Sequence, residues 1–163
     1  MKYLPFESRD ELYKKPFGAV ADKEEVTLRL LLHDDARCTG AFVRYRRDGE
    51  AAETAAMLPA GRYDEHFRWY EVRLAFDEGL YWYSFFFNSD YGTKQITRFK
   101  NGEGIISPDG DDWQLTVYER DFKVPKDTAG GIIYQIFPDR FYCSGSSKSN
   151  VPTDRFIRDD RSA

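Results

Sequence analysis

Four aromatic side chains stand where they could lie flat against a ligand: Trp69, Trp82, Trp113 and Tyr91. Trp69 shares a strand parity with Glu71 and Arg73, whose charges mark a solvated face. Trp82 shares a parity with Ser84. Trp113 follows Gly110-Asp111-Asp112, which reads as a loop rim, and Tyr91 lies within the turn Asp90-Tyr91-Gly92. A stacked ring contributes about 1 kcal/mol, so a binding surface needs two or three of them. The same residues have a plainer use, because tryptophans in small β domains are usually packed inside.

Groups suited to covalent, acid–base or metal chemistry are sparse. Asp139 stands beside Arg140 without a second carboxylate in fixed geometry, and an ion pair at a strand exit accounts for it. His33 and His66 lack partners at metal-binding spacing. Glu24-Glu25 and Asp34-Asp35 read as solvated strand ends. Cys38 and Cys143 are the only cysteines, about a hundred residues apart, with neither metal-ligand spacing nor a disulfide framework. Two free thiols imply a reducing compartment. The segment from Met1 to Pro16 is charged throughout and has no apolar core of a signal peptide. The expectation is a cytoplasmic protein, provided that the N-terminus is native.

Composition narrows the class further. The chain has 163 residues, 41% hydrophobic and 17% aromatic, enough for one ordinary domain with a core and a remnant. A net charge of −4 supplies no basic patch for nucleic acid or an anionic membrane surface. No apolar stretch approaches the length of a membrane span.

The elements that must position the aromatic residues are strands. Val26, Leu28, Leu30 and Leu32 alternate on one face of a first strand. Gly40 to Arg46 is a second, with Val43 and Tyr45 opposed by Arg44 and Arg46, and Ala55 to Leu58 is a weak third. Phe67 to Phe76 sets Tyr70, Val72, Leu74 and Phe76 against Trp69, Glu71 and Arg73. A turn at Asp77-Glu78-Gly79 returns the chain through Leu80 to Phe87, with Tyr83 and Phe85 expected inside. The stretches 88–92 and 100–112 are turn-rich, with a strand over 94–99 between them. Leu115 and Val117 alternate in a last strand, and residues 122–128, stiffened by Pro125, read as a linker. This succession predicts an all-β sandwich of the immunoglobulin-like or E-set type.

Beyond it, Ile132, Ile133, Ile136 and Phe137 form a short apolar run between a Gly pair and Pro138, the pattern of a strand buried on both faces. The words Tyr134-Gln135-Ile136-Phe137-Pro138-Asp139-Arg140-Phe141 resemble the opening barrel strand of the α-amylase family of glycoside hydrolases, in its neopullulanase and amylopullulanase-like branch. The resemblance implies a β-sandwich at 1–122, a linker at 123–131, and the start of a (β/α)8 barrel at 132–163. A whole barrel needs about 250 residues.

Further expectations follow from that resemblance. Retaining hydrolysis requires two carboxyl groups about 5–5.5 Å apart. The family carries them at the ends of later barrel strands, so no catalytic residue is expected in this chain, although the parent protein would be an enzyme. Tyr134, Gln135, Phe137, Pro138, Asp139, Arg140 and Phe141 are motif residues without assigned chemistry. Where the family often has an Asn-Gly-Asp run for calcium, this chain has Tyr142-Cys143-Ser144-Gly145, a poor set of hard-cation ligands. No metal and no cofactor are expected. The resemblance implies an accessory domain that contributes to binding an α-glucan (starch, glycogen, pullulan or maltodextrin) through Trp69, Trp82, Trp113 and Tyr91. Its other expected partner is the catalytic barrel, and a homodimer is allowed. The alternative is an interaction domain that binds no sugar and serves interdomain or subunit docking.

Overall fold

The computed structural model describes residues 3–125, 131, 132, 134 and 135. The chain divides into two units, Met1–Phe122 and Lys123–Ala163. The first carries ten strands: β1 (Lys14–Lys15), β2 (Val20–Ala21), β3 (Glu25–His33), β4 (Cys38–Arg47), β5 (Glu53–Arg62), β6 (Phe67–Ala75), β7 (Gly79–Ser89), β8 (Gly92–Arg98), β9 (Gly104–Ile106) and β10 (Trp113–Tyr118). Among the described residues, the only helical pieces are two short 3-10 turns at Asp34–Ala36 and Lys100–Gly102.

The period-2 pattern of β3 does what alternation demands. Val26, Leu28, Leu30 and Leu32 are at most 1% exposed, while Thr27, Arg29 and His33 point outward. β3 pairs with β6 in an unbroken antiparallel register from Glu25↔Ala75 to His33↔Phe67. β1 lines the other edge of β3. In the second layer β7 is central. β4 runs along one edge, while β10 pairs with its first half and β8 with its second. Parity along β7 puts Tyr83 and Phe85 inside, as the sequence predicts, together with Tyr81 and Phe87.

The two layers are joined by one strand. Residues 53–57 of β5 pair with β4, whereas Leu58, Pro59 and Arg62 pair with β6. The changeover follows from residue types. Pro59 has no N–H for a ladder, and Gly61 takes a φ of 101° that other residues resist. The sequence shows only a weak strand at 55–58 because each half of β5 serves a different sheet. A strand that switches sheets through a bulge is a recognised way to turn a sandwich corner. Between the layers lies one core in which Val26, Leu28 and Leu30 meet Val43, Phe85 and Leu115.

Two further departures matter for the site. Residues 100–112 are turn-rich but contain β9, which pairs with β8. The N-terminal segment, which shows no periodicity, closes the core. Phe6 is fully buried, with ring centroids 4.7 Å from Phe85 and 4.8 Å from Trp113. Its carbonyl accepts from Gly104 N at 2.8 Å, and Leu31 N donates to the carbonyl of Pro5 at 3.0 Å.

The expected barrel strand falls largely outside the described residues, which exclude Phe137, Pro138, Asp139, Arg140 and Phe141. Ile132, Tyr134 and Gln135 belong to no strand, and Ile132 and Tyr134 are 96% and 72% exposed.

Candidate functional site

The four candidate aromatics do not converge on one surface. Trp69 lies on the outer face of β6, opposite Leu31 in the ladder. Tyr13 and Tyr63 meet it nearly at right angles, with centroids 5.1 and 5.8 Å away. Below it on the same face, Arg29 Nε donates to Glu71 Oε2 at 2.6 Å and Arg73 Nε donates to Glu71 Oε1 at 2.9 Å. Desolvation by itself raises the Glu71 carboxyl. The hydrogen bonds from Arg29 and Arg73 outweigh it and hold the group below the usual carboxylate range. Trp69 is therefore held half-buried in a ring cluster above an ion-paired ladder.

Trp113 corrects an expectation. It is 2% exposed and belongs to the core, not to a loop rim. The cause is register: Trp113 pairs with Tyr83, in phase with the buried Leu115 and Val117. Its indole N–H donates to the carbonyl of Gly102 at 2.9 Å.

Tyr91 is 65% exposed at the β7–β8 turn, with the Arg37 guanidinium 5.7 Å from its ring centroid. It borders an open, mostly apolar groove of about 650 Å³ with Phe87, Ile106 and Pro108.

Trp82 lies on the outer face of the second layer, and here the ladder assembles a surface. Phe42 pairs with Phe86, Arg44 with Ser84, and Arg46 with Trp82 across β4 and β7. Gln114 flanks Trp82 from β10. The rings of Phe42 and Phe86 are stacked at 4.9 Å with planes 13° apart. The Trp82 indole N–H donates to Asp48 Oδ1 at 2.7 Å, and Arg46 reaches over its ring at 5.9 Å. Four residues separate Trp82 from Phe86, about 13 Å along a strand. Between them the side chains of Arg44 and Ser84 have no partner among the described residues. Flat rings at two positions with free hydrogen-bonding groups between them form a surface suited to an extended, polyhydroxylated chain. Phe42 and Phe86 did not figure among the candidate ligands. Their parity with Arg44 and with Trp82 is the signal that places them outside.

No cluster of three or more His, Cys, Asp or Glu side chains among the described residues is placed to hold a metal ion. His33 and His66, read singly from the sequence, stack at 5.8 Å.

No protein-family model matches the chain. It is similar to the amylopullulanase of Thermoanaerobacterium thermosulfurigenes, with 32% identity over 92% of this chain and 8% of that protein. A second amylopullulanase, from Thermoanaerobacter thermohydrosulfuricus, is 29% identical over 91% of this chain and 10% of its own length. The chain thus spans about a tenth of the length of the relatives it matches. Among solved structures, a cyclomaltodextrinase superposes on 70% of this chain and 18% of its own length, with a TM-score of 0.49 and 13% identity. The resemblance drawn from residues 134–141 pointed to amylopullulanase-like proteins, and the relatives carry that name.

Proposed function

We propose that this chain is an accessory β-sandwich region of an α-glucan-acting glycoside hydrolase of the amylopullulanase type, with an immunoglobulin-like module that binds α-glucan on its Trp82 face. It performs no bond cleavage itself. Within the parent enzyme it holds the polysaccharide near the catalytic barrel and packs against that barrel, in a cytoplasmic setting. The observation that carries this reading is similarity to amylopullulanases along nine-tenths of the chain. The outer face of β4 and β7 supports it with rings and free polar groups in alternating rows.

Affinity electrophoresis tests it. The 163-residue chain should migrate more slowly through a native gel containing amylopectin than through a plain gel, and Trp82→Ala should restore most of its mobility. Equal mobility of the unmodified chain in both gels would refute glucan binding.

A second reading has its own support. Tyr118 and Phe122, at the end of the sandwich, are 41% and 64% exposed. Apolar rings beside a linker suit docking on a neighbouring domain or on a second subunit, with no sugar involved. An unretarded chain would leave this reading standing.

A further inference from the structure

The turn that joins β4 to β5 reads Arg47-Asp48-Gly49-Glu50, with an Asp-Gly pair at its tip. Gly49 takes a φ of 79°, which lets the chain reverse without strain. Glu50 N donates to the carbonyl of Arg47 at 2.9 Å and closes the turn. Two more bonds fasten it to the chain entering β7. Asp48 N donates to the carbonyl of Leu80 at 2.8 Å, and Arg47 Nη2 donates to that of Glu78 at 2.7 Å. The Asp48 side chain thus projects from a backbone tied down on both sides.

One oxygen of that side chain has two neighbours. Oδ1 accepts from the indole N–H of Trp82 at 2.7 Å, and the Arg46 guanidinium, which stands over the same ring, lies 4.0 Å from it. A bond to an ionised acceptor is short and directional. Yet the Asp48 side chain is 61% exposed, so water would replace the bond if it broke, and its worth to the folded state is small. Its use lies elsewhere.

The other two tryptophans are oriented by rings. Trp69 stands between Tyr13 and Tyr63, and Trp113 is packed against Phe6, Tyr83 and Phe85. Trp82 has no ring neighbour among the described residues. Its partners across the ladders are Arg46 and Gln114, both long and flexible. The bond to Asp48 is therefore what sets the angle of this half-buried ring. A platform already held at one angle loses less freedom when a ligand settles on it.

We propose that Asp48 is a positioning residue for glucan binding, whose carboxylate locks the Trp82 indole in the orientation that a sugar ring stacks on. It acts through Trp82 and makes no contact with the sugar. This deepens the α-glucan reading of the Trp82 face and rests on it.

The test runs the full 163-residue chain in amylopectin gels of graded concentration beside Asp48→Ala, Asp48→Asn, Trp82→Phe and the double variant of Asp48→Ala with Trp82→Phe. Asp48→Ala should weaken binding about fivefold, the effect of freeing one side chain, with no fall in melting temperature. Asp48→Asn keeps an acceptor oxygen and should retain most of the affinity. With Trp82→Phe there is no N–H to hold, so adding Asp48→Ala should change nothing further. A readout without sugar accompanies the gels. The NMR signal of the Trp82 indole N–H, identified by its absence from Trp82→Phe, should lose order in Asp48→Ala and keep it in Asp48→Asn. If amylopectin retards the unmodified chain and Trp82→Ala frees it, but Asp48→Ala is retarded as strongly as the unmodified chain, the positioning role falls and the glucan face survives. An equal loss from Asp48→Ala in the Trp82→Phe background also overturns it, because Asp48 would then act on the sugar directly. If the unmodified chain is not retarded at all, the glucan reading falls and this inference with it.

Discussion

Trp113 donates its indole N–H to the carbonyl of Gly102 at 2.9 Å from inside the core. The bond joins β10 to the turn ahead of β9 and leaves the ring only 2% exposed. Trp113→Phe keeps most of the ring and removes one of two hydrogen bonds to that carbonyl, which also accepts from Ser8 N at 3.3 Å, so it should cost about 0.5–1.5 kcal/mol. Trp113→Ala should cost about 3–5 kcal/mol by opening a cavity beside Phe6 and Phe85. Urea unfolding of the two variants would show this order. A Trp113→Phe variant as stable as the unmodified protein would mean that the bond contributes nothing.

Trp69 is expected to matter to the fold more than to the ligand. Tyr13 and Tyr63 stand against it and Leu31, only 5% exposed, pairs with it. Trp69→Ala should lower stability by about 2 kcal/mol while leaving retardation by amylopectin in place. Loss of retardation with unchanged stability would move the glucan surface to the β6 face.

Tyr91 tests the opposite case. It is 65% exposed, with the Arg37 guanidinium 5.7 Å from its ring centroid. Tyr91→Ala should shift stability by no more than about 0.5 kcal/mol, as most surface changes do. Its effect on the amylopectin gel decides whether the groove beside Ile106 shares in binding. The assignment to the Trp82 face expects no change.

The Glu71 ladder gives stability a pH dependence with a definite sign. Its carboxyl is held below the unfolded value in the folded protein, so the unfolded chain binds more protons in the window between the two. The contribution is complete above the unfolded value, about 4.3, and is lost as pH falls through the folded value. Glu71→Gln should therefore flatten the acid side of a melting-temperature profile while leaving its alkaline side unchanged. An acid limb identical in both proteins would refute the assignment.

How much of this was legible beforehand depends on whether alternation survives locally. β3, β6, β7 and β10 each place one face wholly against the core, so a period of two marks them and even their parity. The misreading of Trp113 was avoidable. It has the same parity as Leu115 and Val117, and the preceding Gly-Asp-Asp drew attention to a loop instead. β5 is faint because its two halves obey different sheets. Phe6 leaves no periodic trace, since its position depends on contacts with Phe85 and Trp113, distant in the chain.

The divided loyalty of β5 has a mechanical consequence. A strand stitched into both layers ties their fates, since neither layer can peel away without tearing the seam at Met57 and Leu58. Pulled or heated, the sandwich should give way as one body, and whatever polysaccharide rests on the outer rows of β4 and β7 would be released in a single event rather than gradually.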